Sequence, residues 1–298
     1  MRRRELLDET FDIYHAGGYA LTIAPCREGV RLTLVETARS QFIGLVDYPL
    51  AGGVTLDPAK ACEQLVGDFP WLKGGFGKVV YLTRGSAFAP VPVAYSDREH
   101  AKQLLQTTVE LSDLDEVHTM RLDDRAQLLF SVPNVELYPW RCFHPKLTVV
   151  HHDGALFEWA SHLGAPGYLL LVHANDGFVT LTLMEGSKLM AMRAVNAQRA
   201  EDVLYHVLTQ LQALDVALPK VSYLVLGEGI LGASSEAKPG ARAQGGSLVS
   251  PESIGALLGH YLSRNTLATG KRFRYAFSYL LQRMEQQYFP LFAAVQCV

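Results

Sequence analysis

Apolar and β-branched residues form three consecutive runs near the start of the chain and predict a meander of β-strands. The runs are YALTIAP, GVRLTLVE and SQFIGLVDYPL. A helix is expected next, because Asp57 is a typical N-cap, Pro58 suits the first helical turn and apolar residues follow at helical spacing. The run GKVVYLTR then predicts a buried strand. The order is therefore three strands, a helix and a strand.

Further elements complete this first half of the pattern. Ser96 is placed to cap a helix over the segment DREHAKQLLQTTV. Three more strand candidates follow along the chain, and they are DEVHTMRL, AQLLFSVP and KLTVVHH. Asp153 then caps a helix through GALFEWASHL. The first half is thus of mixed α/β class.

The same series of elements begins again after the break at Gly164–Gly167. Its members are the strands YLLLVHA, GFVTLTLME and SKLMAMRAV, the amphipathic helix AQRAEDVLYHVLTQLQAL and the strand VSYLVLGEG. Within the two meanders, LTLVE at 32–36 and LTLME at 181–185 occupy the same place. The common order and this short match together predict a duplicated α/β unit.

The composition predicts a soluble protein of the cytoplasm. Net charge is −3, which gives no electrostatic reason to expect nucleic acid or an anionic membrane as partner. No apolar run approaches the ~18 residues that a membrane span needs. The four cysteines lie far apart without C-x-x-C spacing, which is typical of reduced thiols.

The arrangement of elements resembles the ribonuclease H-like unit, which in tandem makes the actin-like ATPase fold. The junction PKLTVVHHDGALFEWASHL is similar to that of the pilus-assembly actin-like proteins. Several stretches also resemble an uncharacterised bacterial family known as a domain of unknown function. They are SQFIGLVDYPL, FAPVPVAYSDREHAKQLL, LLFSVP with KLTVVHH, YLVLGEGI and YFPLFAAVQC. The resemblance implies a fold and names no activity.

The resemblance implies two tandem ribonuclease H-like lobes of α/β class. Each lobe is expected to hold a mixed sheet, with an antiparallel meander, parallel strands and flanking helices. We place the first lobe at 1–165 and the second at 166–298. The Gly/Ala/Ser-rich stretch 232–250 is expected to be a flexible excursion of the second lobe. The apolar C-terminal segment YFPLFAAVQCV is expected to pack on the second core.

The resemblance also implies two phosphate turns, in which an Asp holds Mg²⁺ and a Gly lets backbone N–H groups approach phosphate. The corresponding turn of the first half, 24–29, has no Asp, and Pro25 has no N–H to donate. The second-half turn contains Asp176 and Gly177, but bulky Phe178 follows. Asp-Gly is also a strong signal for a tight hairpin, and that interpretation is favoured.

A third element of such ATPases is a Gly-rich turn that contacts the adenosine. Gly227 and Gly229 lie at the corresponding position, although glycines there also simply end a strand. If a nucleotide binds, the residues expected to hold it are Asp176, Gly177, Gly227 and Gly229. No resident cofactor is expected, and ATP with Mg²⁺ is the one considered.

Other catalytic motifs find little support. The segment KGGFGKVVYL lacks the first Gly and the hydroxyl residue of a P-loop, and a strand follows it. His151 and His152 would face opposite sides of a strand, which argues against zinc. The candidate core strands carry no carboxylates for a two-metal nuclease, and no Gly-x-Ser-x-Gly elbow occurs.

Aromatic residues near the C-terminus have two interpretations. Phe273, Tyr275, Phe277 and Tyr279 alternate as one face of a predicted strand, so core packing is favoured over a partner surface.

Three classes of function remain open. The leading hypothesis is a non-catalytic actin-like binding or scaffold module that contacts an unidentified protein, with enzyme activity not expected. The alternative is a nucleotide-binding or phosphotransferring protein that uses an interlobe cleft. The third is an enzyme with unrecognised chemistry. The sequence leaves the oligomeric state open.

Overall fold

The chain folds into two compact units, which are described separately. The computed structural model describes residues 3–50, 57–95, 98–175, 178–231, 248–264, 273–282 and 286–297. One unit contains Met1–Trp159 together with Phe273–Val298, and the other contains Ala160–Arg272. The expected assignment of everything after residue 165 to the second lobe is therefore wrong for the C-terminal segment.

Among the described residues, the first unit begins with nine strands and four α-helices. The strands are β1 (Arg4–Leu7), β2 (Tyr19–Cys26), β3 (Gly29–Glu36), β4 (Gln41–Pro49), β5 (Lys78–Thr83), β6 (Phe88–Pro92), β7 (Asp115–Arg121), β8 (Ala126–Pro133) and β9 (Thr148–His151). The helices are α1 (Pro58–Asp68), α2 (Arg98–Gln106), α3 (Asn134–Phe143) and α4 (His152–Ser161), the last of which leads into the second unit.

The second unit repeats the plan in a smaller form. Its strands are β10 (Tyr168–Asn175), β11 (Phe178–Glu185), β12 (Lys188–Val195), β13 (Val221–Gly227), β14 (Ile230–Leu231), β15 (Leu248–Val249) and β16 (Ser263–Arg264). Its helices are α5 (Ala200–Ala213) and α6 (Pro251–Leu258). The chain then returns to the first unit with β17 (Ala276–Phe277) and α7 (Phe289–Ala294).

Each unit is built on its own mixed sheet, and the two sheets follow the same plan. In the first unit the strands are ordered β1-β4-β3-β2-β5-β9, with β17 also paired to β4, and in the second they are ordered β12-β11-β10-β13-β16. The meander strands β2–β4 and β10–β12 pair antiparallel, whereas β5, β9, β13 and β16 join in parallel. A separate sheet, β6-β8-β7, belongs to the first unit. The predicted fold class, with its meander and parallel strands in each unit, is confirmed.

The duplication extends to individual residue pairs. All residues of β2 pair with β3, and all residues of β10 pair with β11. Counted from the hairpin ends, Leu32–Glu36 and Leu181–Glu185 stand at identical positions. Each meander also contains a register shift at the same point, after Leu34 in one unit and after Leu183 in the other. The short sequence match therefore marks equivalent backbone positions.

Local sequence signals explain the principal helices. Asp57 caps α1 by accepting a hydrogen bond from the Ala59 N–H at 2.8 Å, and Pro58 occupies the first turn, as predicted. The predicted apolar face of α5 is buried through Val203, Val207 and Leu211, which pack with α6 on one face of the second sheet.

Two predictions fall wholly or partly outside the described residues. Ser96, the expected cap of α2, lies outside them. So does most of the expected excursion, since residues 232–247 are not described. The excursion ends earlier than predicted, because Leu248–Val249 pairs with Ile230–Leu231 and Ser250 caps α6.

The C-terminal segment completes the core of the first unit. Strand β17 pairs in parallel with the start of β4, at Gln41 and Phe42, and every residue of α7 is buried. Phe42 of β4 contacts the rings of Phe273, Tyr275 and Phe277 at centroid distances of 5.0–6.4 Å. These three residues are half-buried and pack on the buried Phe42, in agreement with the core interpretation, which is wrong for Tyr279, since that residue is 85% exposed.

A buried ion pair in the first sheet contacts the C-terminal segment. The Arg31 Nε donates to Asp47 Oδ1 at 3.0 Å, and the two side chains are only 8% and 5% exposed. The Tyr288 hydroxyl donates to the other carboxylate oxygen of Asp47, and its ring lies 5.1 Å from the Arg31 guanidinium. Burial and the neighbouring carboxylate raise the pKa of Tyr288, so the phenol stays protonated as a donor. Adjacent strands and the C-terminal segment thus meet at one carboxylate.

We expect Asp47→Ala to destabilise the first unit by about 3–5 kcal/mol, because it leaves the Arg31 guanidinium buried without its carboxylate. Urea unfolding followed by tryptophan fluorescence measures this, since all three tryptophans, Trp71, Trp140 and Trp159, lie in the first unit. The double variant Arg31→Met/Asp47→Leu should recover most of the loss.

A matched control is Arg39→Ala, which removes an ion pair of 3.4 Å to Glu36 from a side chain that is 59% exposed. This change should cost less than about 1 kcal/mol. Equal losses in Asp47→Ala and Arg39→Ala would contradict the assigned role of the buried pair.

Candidate functional site

The first unit contains a cavity of about 270 Å³ at the carboxyl ends of β2 and β5. Pro25 and Cys26 line it from β2, and Leu82 and Thr83 line it from β5. Helices α1 and α3 and the end of β8 supply further walls. In sheets with parallel strands, ligands bind beyond the carboxyl ends. The position of this cavity makes it the candidate functional site.

The cavity lies where the parallel pairing of β2 and β5 stops early. These strands pair only from Ala20 to Ile23, whereas the equivalent strands β10 and β13 pair from Tyr168 to Ala174. Pro25 lies two residues after Ile23 in β2 and lacks the N–H that a strand residue donates to its neighbour. The unpaired ends of β2 and β5 leave the space that the cavity occupies.

Most of the wall is apolar. Val30, Leu50, Leu82 and Trp140 are buried side chains that line the cavity, and Pro133 adds to them. Small-molecule sites typically have such walls and volumes of ~300–1,000 Å³. The cavity, at about 270 Å³, is slightly smaller than that range, so it suits a small ligand better than a nucleotide.

Polar groups are few and come from distant parts of the chain. Tyr81 of β5 is 1% exposed, and its hydroxyl donates to Glu136 Oε2 of α3 at 3.0 Å. Arg84 follows β5 and also lines the cavity, together with Thr83 and Ser131. Tyr81 therefore orients a carboxylate beside a guanidinium in largely apolar surroundings.

The titration of Glu136 and Tyr81 reflects this environment. Burial raises the pKa of Glu136, and the Tyr81 hydrogen bond and the Arg84 charge oppose that rise only in part. Burial also raises the pKa of Tyr81 well above its ordinary value, and Glu136 adds to the rise. The phenol of Tyr81 thus stays protonated and donates a hydrogen bond. The ionised carboxylate of Glu136 lowers the free energy of unfolding, because it is partly removed from water.

The first phosphate turn forms part of the same cavity. Pro25 pairs with Val30 and Cys26 with Gly29, so β2 and β3 join through residues 27 and 28. A side chain at Gly29 would collide with the backbone of Tyr48, which explains the glycine without a ligand. The turn that the sequence singled out as the counterpart of a phosphate turn thus forms one wall of the cavity.

In the second unit, the structure describes only part of the expected nucleotide site. Asn175 and Phe178 pair directly, and Asp176 and Gly177 between them lie outside the described residues. Asn175 is buried, and its Nδ2 lies 3.2 Å from Nδ1 of His173.

The glycine turn lies beside the end of β10. Gly227 pairs with Ala174, and the Glu228 N–H donates to the Ala174 carbonyl at 3.1 Å. Gly227 and Gly229 have φ values of +104° and +97°, which only glycine adopts readily. A Cβ at Gly227 would also collide with the Ala174 carbonyl, so strand packing accounts for this glycine.

The histidines considered for zinc have structural contacts. His151 ends β9 and His152 begins α4, and both are buried. The His151 ring packs 4.8 Å from that of Phe88, and its Nε2 lies 2.9 Å from the Gly85 carbonyl. Throughout the described part of the chain, no three His, Cys, Asp or Glu side chains are grouped for a metal ion.

A family model described as "Protein of unknown function (DUF3822)" matches residues 8–238. The chain belongs to this family. The resemblance of the sequence to a domain-of-unknown-function family is thereby confirmed, although no curated protein matches the chain.

Solved structures place this DUF3822 member among actin-like folds. A Bacteroides thetaiotaomicron VPI-5482 protein with actin-like ATPase fold and unknown function is 11% identical, with a TM-score of 0.74 and coverage of 97% of this chain and 100% of that one. A structure of the PilM-PilN type IV pilus biogenesis complex is 13% identical, with a TM-score of 0.55 and coverage of 94% and 98%. These likenesses confirm the predicted actin-like fold.

The sequence did not identify the central polar residues of the cavity. Tyr81 and Arg84 come from β5 and the residue after it, while Glu136 and Trp140 come from α3, about fifty residues later. No motif spacing connects them. Arg84 and Glu136 could have been noticed only as charged residues beside strongly apolar segments.

We expect Glu136→Gln to raise the stability of the ligand-free protein at neutral pH. The folded-state pKa of Glu136 is raised, so its carboxylate lowers the free energy of unfolding above that pKa, and the cost disappears as pH falls towards the ordinary glutamate value. The advantage of the variant should therefore shrink on acidification. Thermal unfolding of both proteins between pH 4 and pH 8 measures it.

Glu63→Gln is the control, because Glu63 is an exposed glutamate on the neighbouring helix α1. It should leave the melting temperature nearly unchanged at each pH. A Glu136→Gln protein that melts at or below the parent temperature at pH 7–8 would contradict the assigned burial cost.

Proposed function

We propose that this DUF3822 protein is a non-catalytic actin-like protein that works as a binding or scaffold module for another protein. The observation that carries the proposal is Pro25, which stands in the first phosphate turn and closes that position to phosphate. The charged residues at the same edge of the sheet add to it.

The chemistry of the cavity disfavours a nucleoside triphosphate. Phosphate oxygens need N–H donors and cations, and Pro25 supplies no donor. The turn 24–29 contains no Asp that could hold Mg²⁺. Glu136 adds a carboxylate that offsets the charge of Arg84, so the cavity lining offers a phosphate little net electrostatic attraction. An actin-like fold with this edge keeps its architecture and loses the means to grip and hydrolyse ATP.

One of the similar structures supports a role in assembly. It is described as the PilM-PilN type IV pilus biogenesis complex, so that actin-like protein is seen together with another protein. We infer that the present chain likewise contacts a protein. In the described residues, no helix has the length and hydropathy required to cross a membrane.

The alternative function is ATP binding with Mg²⁺ in the second unit. Gly227 and Gly229 favour it, because both adopt positive φ beside the end of β10, where a flat ligand could approach the backbone. Asp176 and Gly177 would provide the phosphate turn. The packing of Gly227 against Ala174 gives these glycines a structural reason as well, so we rank this function second.

We expect no thermal stabilisation of the protein by 5 mM MgATP and no phosphate release above a no-protein blank. A ligand present at a hundredfold excess over its Kd would stabilise the protein by roughly 2.7 kcal/mol, which a melting curve resolves easily. Asp176→Ala should behave like the parent protein in both assays.

A melting-temperature rise with MgATP that Asp176→Ala abolishes would replace the scaffold proposal with the nucleotide one.

A second experiment tests the scaffold role itself. Proteins that cross-link to the chain in its source cells are purified one at a time, and each is titrated against the chain. We expect the purified pair to form a saturable complex. Neither apyrase treatment nor Asp176→Ala should change its affinity. Dependence of that complex on ATP would contradict the proposal.

A further inference from the structure

We propose that the first-unit cavity binds a small zwitterion of the amino-acid class, with its ammonium group at Glu136 and its carboxylate at Arg84. The apolar side chain of this ligand would lie against Trp140 and Leu82. This inference does not rest on the scaffold proposal, because it concerns a ligand of one unit and needs no partner protein.

First, two side chains of opposite charge line the cavity without forming an ion pair with each other. Glu136 and Arg84 both line the cavity. The guanidinium is near enough to influence the titration of Glu136 and of Tyr81. Yet the ion pairs among the described residues include none between Glu136 and Arg84. Because the two side chains do not pair with each other, a ligand that carries both charges can form an ion pair with each of them.

The second step is the orientation of the carboxylate. Tyr81 is buried and donates to Oε2 of Glu136, which fixes one edge of the carboxylate. Among the hydrogen bonds of the described residues, none occupies Oε1 of Glu136. An ammonium group has three donors and no acceptor, and it therefore matches the remaining oxygen. A charge-assisted hydrogen bond there would offset the burial of the carboxylate.

The third step is the balance of charge and size. One carboxylate and one guanidinium give the cavity lining a net charge near zero, so a ligand with a single charge would leave the opposite group unpaired. A phosphate would face Glu136, and a simple amine would leave Arg84 without a partner. The volume of about 270 Å³ and the apolar walls suit an amino acid with an aliphatic or aromatic side chain.

The test is calorimetric titration of the full chain with each of the twenty common L-amino acids up to 10 mM. We expect one or more amino acids with apolar side chains to bind. The tightest binder is then compared with its decarboxylated amine and its deaminated acid, which keep the side chain and remove one charge each. Each analogue should bind at least about tenfold more weakly, since it loses one charge-assisted hydrogen bond.

Two variants assign the contacts to their partners. Glu136→Gln should weaken the amino acid at least about tenfold while leaving the affinity for the deaminated acid nearly unchanged. Arg84→Gln should weaken the amino acid similarly while leaving the affinity for the amine nearly unchanged. Glu63→Gln and Arg39→Gln change exposed charges outside the cavity lining and should bind as the parent does. Melting curves confirm that each variant is folded.

Certain outcomes would overturn the proposal. They are no binding of any of the twenty amino acids, equal binding of the charge-deleted analogues, or unchanged amino-acid affinity in both Glu136→Gln and Arg84→Gln. These outcomes leave the MgATP assays unaffected, so failure here and failure of the scaffold proposal can be told apart.

Discussion

Pro25 has no backbone N–H, and this single missing donor shapes the edge of the first sheet where an actin-like fold meets its ligands. The parallel ladder between β2 and β5 ends at Ile23, two residues before it, while the equivalent ladder in the second unit continues to Ala174. The strand ends separate, and the cavity forms between them. Under the proposed function, the same missing donor disfavours phosphate at this turn. The proposed loss of ATP binding and the proposed amino-acid site would thus have a common physical origin.

The buried pair of Arg31 and Asp47 imposes a second constraint. Two charges taken out of water are stable only when their remaining hydrogen-bonding groups are satisfied, and Tyr288 satisfies the second carboxylate oxygen. Tyr288 lies just before α7, so the pair requires the end of the chain to be in place. The second unit has Thr180 where the first has Arg31, and it needs no such closure. In the first unit, this pair accordingly joins the C-terminal segment to the sheet.

Much of the fold could be predicted from the sequence, because strand patterns and caps are local signals. The meanders, α1 and α5 follow from such signals. Helix α3 could not be predicted in this way, since Pro139 lies inside it and removes an internal hydrogen bond. The apolar C-terminal segment indicated burial, but hydrophobicity does not say against which core. The site was harder still, because Tyr81 and Glu136 become neighbours only through β5 and α3, and neither stands in a motif.

The duplication shows how such a site can arise within a fixed framework. Both units keep the same register and the same bulge, so the backbone tolerates little change there. Side chains at the carboxyl edge are less constrained, because they pack against loops and helices that differ between the units. In the second unit that edge is closed by Gly227 against Ala174, whereas in the first it is open and lined by Glu136 and Arg84. Glu136 satisfies the buried Tyr81 hydroxyl while its own burial raises its pKa, and the amino acid proposed for the cavity would compensate its charge.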